Sequence, residues 1–184
     1  ARLPTIRTEG LRGGVVYYDG QFDDARLLVN MAATAAEQGA ALLNYAPVTA
    51  LTRDAHGFVN GVVAHDVESG REIKAMARVV INAGGPFCDA VRRLADPGLP
   101  PLVVPSQGIH LVFDGEVLPG GAAIMVPHTS DGRVMFAIPW HGHTVVGTTD
   151  TPIEEPSLEP RPFDQEIEFV LETASRYLRR PLTR

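Results

Sequence analysis

Hydrophobic and polar positions recur along the chain with two different periods, and the longer period predicts two helices. Between residues 22 and 39, small and apolar residues recur at helical spacing. Asp23 and Asp24 at the start of this segment can accept hydrogen bonds from free N–H groups, and Gly39 suits a left-handed C-cap. Residues 163–177 show the same period. We therefore expect helices over both segments, the second of them covering a sheet.

The first half of the chain otherwise shows the shorter period of β-strands. Three segments alternate between apolar and polar positions and are predicted to form an antiparallel meander. Two further segments are continuous apolar runs, which are typical of buried strands. The second run ends at Gly84, Gly85 and Pro86, before a short predicted helix over residues 89–94. The meander strands are residues 48–53, 59–67 and 71–77, and the apolar runs are residues 40–45 and 78–83.

The second half of the chain is predicted to be an antiparallel sheet with a covering helix. A proline-rich stretch, residues 97–105, is expected to connect the two halves. Four short strands follow, with hairpin-like gaps at residues 130–132 and 141–143. The predicted fold class is therefore α+β. The four strands are residues 108–113, 122–126, 134–139 and 144–148.

The composition narrows the classes of function. Of 184 residues 45% are hydrophobic, which is ordinary for a globular body with a buried core. The 16 basic and 22 acidic residues give a net charge of −6, without a basic stretch that could follow a phosphate backbone, so nucleic acid is not an expected partner. The single cysteine, Cys88, excludes an internal disulfide and fits a reducing compartment. No apolar run is long enough to cross a bilayer, and the first ten residues lack the apolar core of a signal peptide.

Three motifs are candidates for chemistry, and each also has a simpler structural interpretation. VVINAGGPF, residues 79–87, puts two glycines after a strand, where the backbone can approach a ligand, although such a turn is commonly only a turn. GTTDTP, residues 147–152, ends a strand with hydroxyls, for which capping of their own backbone is favoured over ligand contact. His110 interrupts an apolar strand, where a histidine is either structural or placed in a cleft for proton transfer.

The histidines also raise the question of a metal site. His141 and His143 flank Gly142, and His128 is near them in sequence. No cysteine or carboxylate completes a ligand set at a familiar spacing. The HGH segment is therefore interpreted as a polar hairpin tip, and no metal is predicted.

Five segments in a fixed order carry a resemblance to a known family. GGVVYYDGQFDDARL is followed by VVINAGGPF, SQGIHLV, FAIPW and VGTTDTP. In this order they resemble FAD-dependent glycerol-3-phosphate dehydrogenases and the related glycerophosphate oxidases, over nearly the whole chain. VVINAGGPF alone is shared with flavoproteins of the amino-acid-oxidase type, whereas YYDGQ, DDAR and GTTD together are typical of the glycerol-3-phosphate branch.

The resemblance implies FAD as the cofactor and assigns roles to five residues. The segment with Ala83, Gly84 and Gly85 is expected to run beside the flavin, and Val48 to meet the adenine part of FAD. His110 matches a family histidine in the substrate pocket and is the expected catalytic residue. The resemblance further implies a partial FAD-binding, Rossmann-like lobe over residues 1–100 and a partial substrate lobe over residues 101–184.

The resemblance also implies a reaction and its partners. In the intact enzyme, hydride passes from C2 of glycerol 3-phosphate to flavin N5 while a base takes the hydroxyl proton, which gives dihydroxyacetone phosphate. The electrons are expected to pass to a membrane quinone, or to oxygen in the oxidase branch. The enzyme is expected to be a peripheral protein at the inner, cytoplasmic face of a bacterial membrane, with a homodimer as one expected assembly.

Parts of the family pattern are not in this sequence. Gly10, Gly13 and Gly14 do not have the GxGxxG spacing after a strand. The family's C-terminal segment, with an arginine for the substrate phosphate and a GGK-type loop, is likewise not found. We therefore expect an internal fragment that is inactive by itself. Two other classes stay open here: an amine- or amino-acid-oxidising flavoenzyme, which shares the NAGG strand, and a cofactor-free interaction module.

Overall fold

A computed structural model of the chain describes residues 3–127, 129–130 and 132–184. Their contacts divide them into two units. We call residues 14–103 the meander unit, and residues up to 13 together with 104–184 the four-strand unit. The assignment of a cofactor lobe to residues 1–100 and a substrate lobe to residues 101–184 stays a prediction.

The meander unit begins with the first predicted helix, α1, which spans Asp24–Glu37. Its N-terminus forms because the Asp23 carboxylate accepts a hydrogen bond from the backbone N–H of Arg26, at 2.9 Å. Gly39 has a φ of +90°, the left-handed conformation that the sequence predicted for the end of this helix. No residue of α1 is buried.

The predicted meander is confirmed as a three-stranded antiparallel sheet with the order β1–β2–β3. Its strands are β1 (Val48–Arg53), β2 (Val59–His65) and β3 (Glu72–Met76). Gly61 of β2 lies under the backbone of β3, so close that a Cβ there would overlap the carbonyl oxygen of Ala75. The third strand can therefore pair with the second only because residue 61 has no side chain.

The two continuous apolar runs of the first half are not strands, and this part of the prediction was wrong. Residues 40–45 and 78–83 have extended or bent backbone, and neither belongs to a sheet of the described residues. Val79 and Ile81 are 71% and 82% exposed. An apolar sequence supplies the tendency to be buried, but a strand also needs a neighbour that accepts its hydrogen bonds. After this segment, the short helix α2 (Cys88–Ala95) forms as predicted.

The four-strand unit contains the antiparallel sheet that the second half of the sequence predicted. The sheet has the order β5–β8–β7–β6, so β5 and β6 are its edges, and the two shortest strands, β4 and β9, pair with each other. Helix α3, Asp164–Tyr177, follows as predicted. Together the two units confirm the α+β class. The strands are β4 (Ser106–Gln107), β5 (His110–Asp114), β6 (Ile124–Val126), β7 (Met135–Trp140), β8 (His143–Gly147) and β9 (Thr151–Pro152).

Two hairpin turns were predicted within this sheet. The turn between β7 and β8 is confirmed: His141 and Gly142 have φ values of 46° and 79°, as a two-residue turn of the type I′ class requires. The turn predicted at residues 130–132 includes residue 131, which lies outside the described residues, although β6 and β7 pair antiparallel on either side of it.

The core of the four-strand unit lies between one face of the sheet and helix α3. Met135 of β7, Val146 of β8 and Val170 of α3 are each at most 1% exposed. Burying side chains of this size stabilises the unit by about 1.5–3 kcal/mol each. Eight buried apolar residues form the cluster, namely Leu118, Val126, Met135, Ala137, Val146, Val170, Ala174 and Leu178.

Candidate functional site

An open groove of about 260 Å³ lies along the edge of the sheet in the four-strand unit. One wall is the turn from β4 into the edge strand β5, and the other is the segment that leads into helix α3. The groove therefore lies where β5 has no partner strand among the described residues. Its lining residues are Gln107, Gly108, Ile109, His110, Leu111, Pro160, Arg161 and Pro162.

His110, the predicted catalytic residue, lines this groove as the first residue of β5. It pairs across the sheet with Gly147 of β8. A Cβ on Gly147 would lie 2.7 Å from Cδ2 of His110 and 2.6 Å from the carbonyl oxygen of Ile109. Because residue 147 is glycine, the imidazole can lie against β8, and His110 as a whole is exposed.

A buried carboxylate, Glu166 in the first turn of α3, lies behind this groove and is 2% exposed. One oxygen, Oε1, accepts hydrogen bonds from the hydroxyls of Thr149 and Thr151, at 3.1 and 2.6 Å. The other, Oε2, accepts from Nε2 of Gln107 and from the backbone N–H of Phe163, at 3.0 and 2.9 Å. Four donors from three segments of the chain therefore meet on one carboxylate.

Hydrogen bonds outweigh the effect of burial on the pKa of Glu166. Burial alone would raise its pKa, because it disfavours the charged form. The N–H of Phe163, the hydroxyl of Thr151, the amide of Gln107 and the hydroxyl of Thr149 all favour the charged form, and together they hold the pKa below its ordinary value. Glu166 is therefore an anion at neutral pH.

In the GTTDTP segment, one hydroxyl bonds its own backbone, as the structural interpretation predicted, and two others make a contact that the sequence did not reveal. The hydroxyl of Thr148 donates to the backbone carbonyl of Thr149, as local capping predicts. Thr149 and Thr151 instead donate to Glu166. The hydroxyl oxygen of Thr149 also accepts a hydrogen bond from the N–H of Ile109, at 3.0 Å, directly before His110.

The glycine turn of the meander unit is held by a side chain within it. Asn82 donates from Nδ2 to the carbonyl of Cys88, at 2.9 Å, and its Oδ1 accepts from the N–H of Gly84, at 3.1 Å. Gly85 has a φ of +54°, which a residue with a side chain rarely adopts. A Cβ on Gly85 would meet no atom within 4 Å, so the space beside this backbone is open.

The structure places the sequence-predicted site residues in two groups. Ala83, Gly84 and Gly85 are contiguous in the meander unit, where Val48 is the first residue of β1 and is 37% exposed. His110 belongs to the four-strand unit. The roles of all five residues in binding FAD or substrate stay predictions.

Glu166 and Asn82 were not predicted from the sequence, although the sequence contains a recognisable pattern at each of them. Glu166 shares the helical stripe of Val170, Thr173 and Ala174, which are buried, so it is a carboxylate on the inner face of an amphipathic helix. Asn82 is a polar residue at the end of an apolar run, directly before two glycines. A polar side chain at such a position commonly bonds the backbone of the turn that follows.

The histidines of the HGH segment have a structural explanation. Nδ1 of His143 lies 3.1 Å from the carbonyl oxygen of His141, within the tight hairpin. Among residues 3–127, 129–130 and 132–184, no three His, Cys, Asp or Glu side chains are grouped so that they could hold a metal ion. His128, which entered the metal hypothesis, lies outside the described residues. Within the same residues, no helix is both long and apolar enough to cross a membrane.

Comparison with known proteins gives a consistent set of relatives. A model of the family described as FAD dependent oxidoreductase matches residues 1–184. The chain is 46% identical, over 96% of its length, to the mitochondrial glycerol-3-phosphate dehydrogenase SDP6 of Arabidopsis thaliana, and 41% identical to the mitochondrial glycerol-3-phosphate dehydrogenase of Mus musculus. It spans 29% and 25% of the lengths of these two relatives.

The fold also matches a solved structure. The glycerol-3-phosphate dehydrogenase of Bacillus halodurans, determined by X-ray crystallography in complex with FAD, superposes on 98% of the chain with a TM-score of 0.89 and 36% identity. The chain covers 36% of that protein. Both units are therefore similar to a part of that structure.

Proposed function

This chain belongs to the FAD dependent oxidoreductase family, and we propose that its full-length protein oxidises sn-glycerol 3-phosphate to dihydroxyacetone phosphate with FAD. The proposal is supported by relatives that are named glycerol-3-phosphate dehydrogenases and are at least 41% identical to it. The observation that carries it to the chemistry is the position of His110, an exposed residue that lines an open groove.

His110 has a role that this reaction requires. Oxidation of a secondary alcohol removes a hydride from carbon and a proton from oxygen, and the proton needs a base that is competent near neutral pH. An imidazole is such a base, and His110 is an exposed residue that lines the groove. Arg161 also lines the groove and supplies a positive charge suited to an anionic substrate. FAD, when bound, supplies the acceptor for the hydride.

The residues proposed to hold FAD are Val48, Ala83, Gly84 and Gly85. The glycine turn suits a flat cofactor because the space beside Gly85 is open and neither residue 84 nor residue 85 has a side chain. The two bonds of Asn82 hold this backbone in shape. Val48 is only partly covered, so the start of β1 can contact a bound molecule.

The electron acceptor and the location of the enzyme are further parts of the proposal. We place the full-length protein as a peripheral protein at the inner face of a bacterial cytoplasmic membrane, where FAD passes its electrons to quinone. The support for this placement is the similarity of the chain to two enzymes that are named mitochondrial and to the solved enzyme of Bacillus halodurans. Quinone reduction by purified enzyme, compared with peroxide formation in air, separates this branch from the oxidases.

The role of His110 is tested by His110→Gln in the full-length protein, with His56→Gln as the matched control, because His56 lies in an exposed turn of the meander unit. We expect His110→Gln to keep FAD and to lower kcat for glycerol 3-phosphate by roughly 10². His56→Gln should match the wild type. A change confined to KM would make His110 a binding residue, and unchanged kcat and KM at all pH values would remove it from the site.

A further inference from the structure

Glu166 is hydrogen-bonded to one wall of the groove and to the residue that follows the other wall. Its partners include Gln107, which lines the first wall, and Phe163, which directly follows the second wall. All four of its hydrogen-bond partners are neutral donors. Such bonds to a charged acceptor are about twice as strong as those between neutral groups, so a buried anion is a firm anchor for several segments.

The first wall is tied to Glu166 by two routes. Gln107 donates directly from its side-chain amide, at 3.0 Å. Thr149 donates its hydroxyl to Glu166, and its oxygen accepts from the backbone N–H of Ile109. The second route ends one residue before His110. A displacement of Thr149 is therefore transmitted to the backbone that carries the imidazole.

The second wall is tied to the same carboxylate. The N–H of Phe163 donates to Oε2 of Glu166, which fixes the chain directly after Pro160, Arg161 and Pro162. The side-chain amide of Gln107 also donates to the carbonyl oxygen of Arg161, at 3.0 Å, across the groove. The separation of the two walls is thus set by the bonds that converge on Glu166 together with this bond between Gln107 and Arg161.

We propose that Glu166 is a positioning residue for the reaction: it holds His110, through Thr149 and Ile109, at a fixed place against the wall that contains Arg161. The inference rests on the proposed function, because His110 is the base that it positions. Misplacement of a reacting group by about 1 Å can cost 10²-fold in rate. The carboxylate therefore contributes to turnover without contacting the substrate.

The test is a double-mutant cycle in the full-length protein with FAD bound. The variants are Glu166→Gln, His110→Gln and their combination, and Glu168→Gln is the control, because Glu168 lies on the same helix with its side chain 68% exposed. We expect Glu166→Gln to keep FAD and to lower kcat by about tenfold or more. In the His110→Gln background the same substitution should change kcat less than twofold, since the group that it positions is absent.

A structural role would give a different result. If Glu166 only stabilised the fold, its substitution would lower kcat by the same factor in both backgrounds, and this outcome overturns the inference. Thr149→Val serves where Glu166→Gln does not fold, because it replaces the hydroxyl with a methyl group of similar size, and Thr149→Ser, which keeps the hydroxyl, should retain kcat. A wild-type protein with FAD that does not oxidise glycerol 3-phosphate would instead refute the proposed function.

Discussion

Helices α1 and α3 have the same length, 14 residues, but they differ in how far their side chains are buried. Helix α1 in the meander unit has no buried residue, whereas α3 in the four-strand unit buries Val170, Thr173 and Ala174 together with Glu166. Both helices show the period that predicts an amphipathic helix. Periodicity therefore predicts that a helix forms, while the stability of the helix depends on a surface that covers its apolar side.

The same contrast holds for the units as a whole. Eight buried apolar residues form the core of the four-strand unit, whereas among the described residues of the meander unit Ala64 is the only buried apolar one. The meander unit is not poor in apolar residues, since Val15, Tyr18 and Ile81 are each more than 80% exposed. Its stability within this chain should therefore come mainly from the β-meander and its hydrogen bonds, not from a core.

Equal substitutions in the two units give the largest expected difference. Met135→Ala in β7 removes a side chain that is 1% exposed, and should lower the free energy of unfolding of the four-strand unit by about 2–5 kcal/mol. Met76→Ala in β3 removes one that is 60% exposed, and should change stability by less than about 0.5 kcal/mol. Urea unfolding measures both, because Trp140, the only tryptophan, reports the four-strand unit and far-UV circular dichroism reports the whole chain.

Similar losses of stability in Met135→Ala and Met76→Ala would contradict this contrast between the two units. That result would mean that Met76 is covered in solution by a surface that the single chain does not show. The matching control is Met125→Ala, at the exposed face of β6 in the four-strand unit, where the side chain is 41% exposed. It should cost clearly less than Met135→Ala although it lies in the same sheet.

Amide exchange of the two helices gives the second expected difference. We expect amides in the middle of α3 to exchange about 100-fold more slowly than those in the middle of α1, after correction for intrinsic rates, because only α3 must lose core contacts when it opens. A factor of 100 corresponds to about 2.8 kcal/mol of opening free energy. Exchange measured residue by residue in this chain decides it, and equal protection of α1 and α3 would contradict the proposed contrast.

The sequence predicted those elements whose partners are near in the chain. The meander strands, the hairpin at His141 and Gly142, and both long helices depend on local periodicity and turn residues, and they are confirmed. Residues 78–83 show the limit: Val79 and Ile81 have the sequence of a buried strand, yet they lie exposed without a ladder partner in the described residues. Periodicity does not tell whether a partner strand is present.

The candidate site was predictable only in part for the same reason. His110 interrupts an apolar strand and so attracts attention, and the glycines at 84 and 85 stand out in sequence. The carboxylate of Glu166 lies 56 residues from His110 in the chain and is joined to its strand through Thr149. Contacts of this separation arise when the helix packs on the sheet, so neither spacing nor composition indicates them.

Among the described residues, each unit nevertheless contains one buried carboxylate that ties distant backbone together, and the one in the meander unit is Asp89 of α2. It is 9% exposed and accepts hydrogen bonds from the N–H groups of Leu102 and Val103, at 2.8 and 3.0 Å. These two bonds are the main cause that lowers its pKa to about 2, and the nearby Arg92 acts in the same direction. Asp89 thus fixes the last residues of the unit to helix α2.

Asp89→Asn should give the smallest of the three effects, and one that depends on pH. The pKa of Asp89 is lower in the folded state than its ordinary value of 3.8, so its ionised form stabilises the fold above about pH 4, and this contribution disappears as the pH falls towards about 2. The urea midpoint of Asp89→Asn should therefore lie below that of the wild type at pH 7, and the two should converge near pH 2. Glu72→Gln, on the exposed side of β3, should match the wild type at both pH values. If the difference in urea midpoint between Asp89→Asn and the wild type stayed constant from pH 7 to pH 2, the charge of Asp89 would not be what holds residues 102 and 103. Packing, and not this carboxylate, would then hold the end of the meander unit in place.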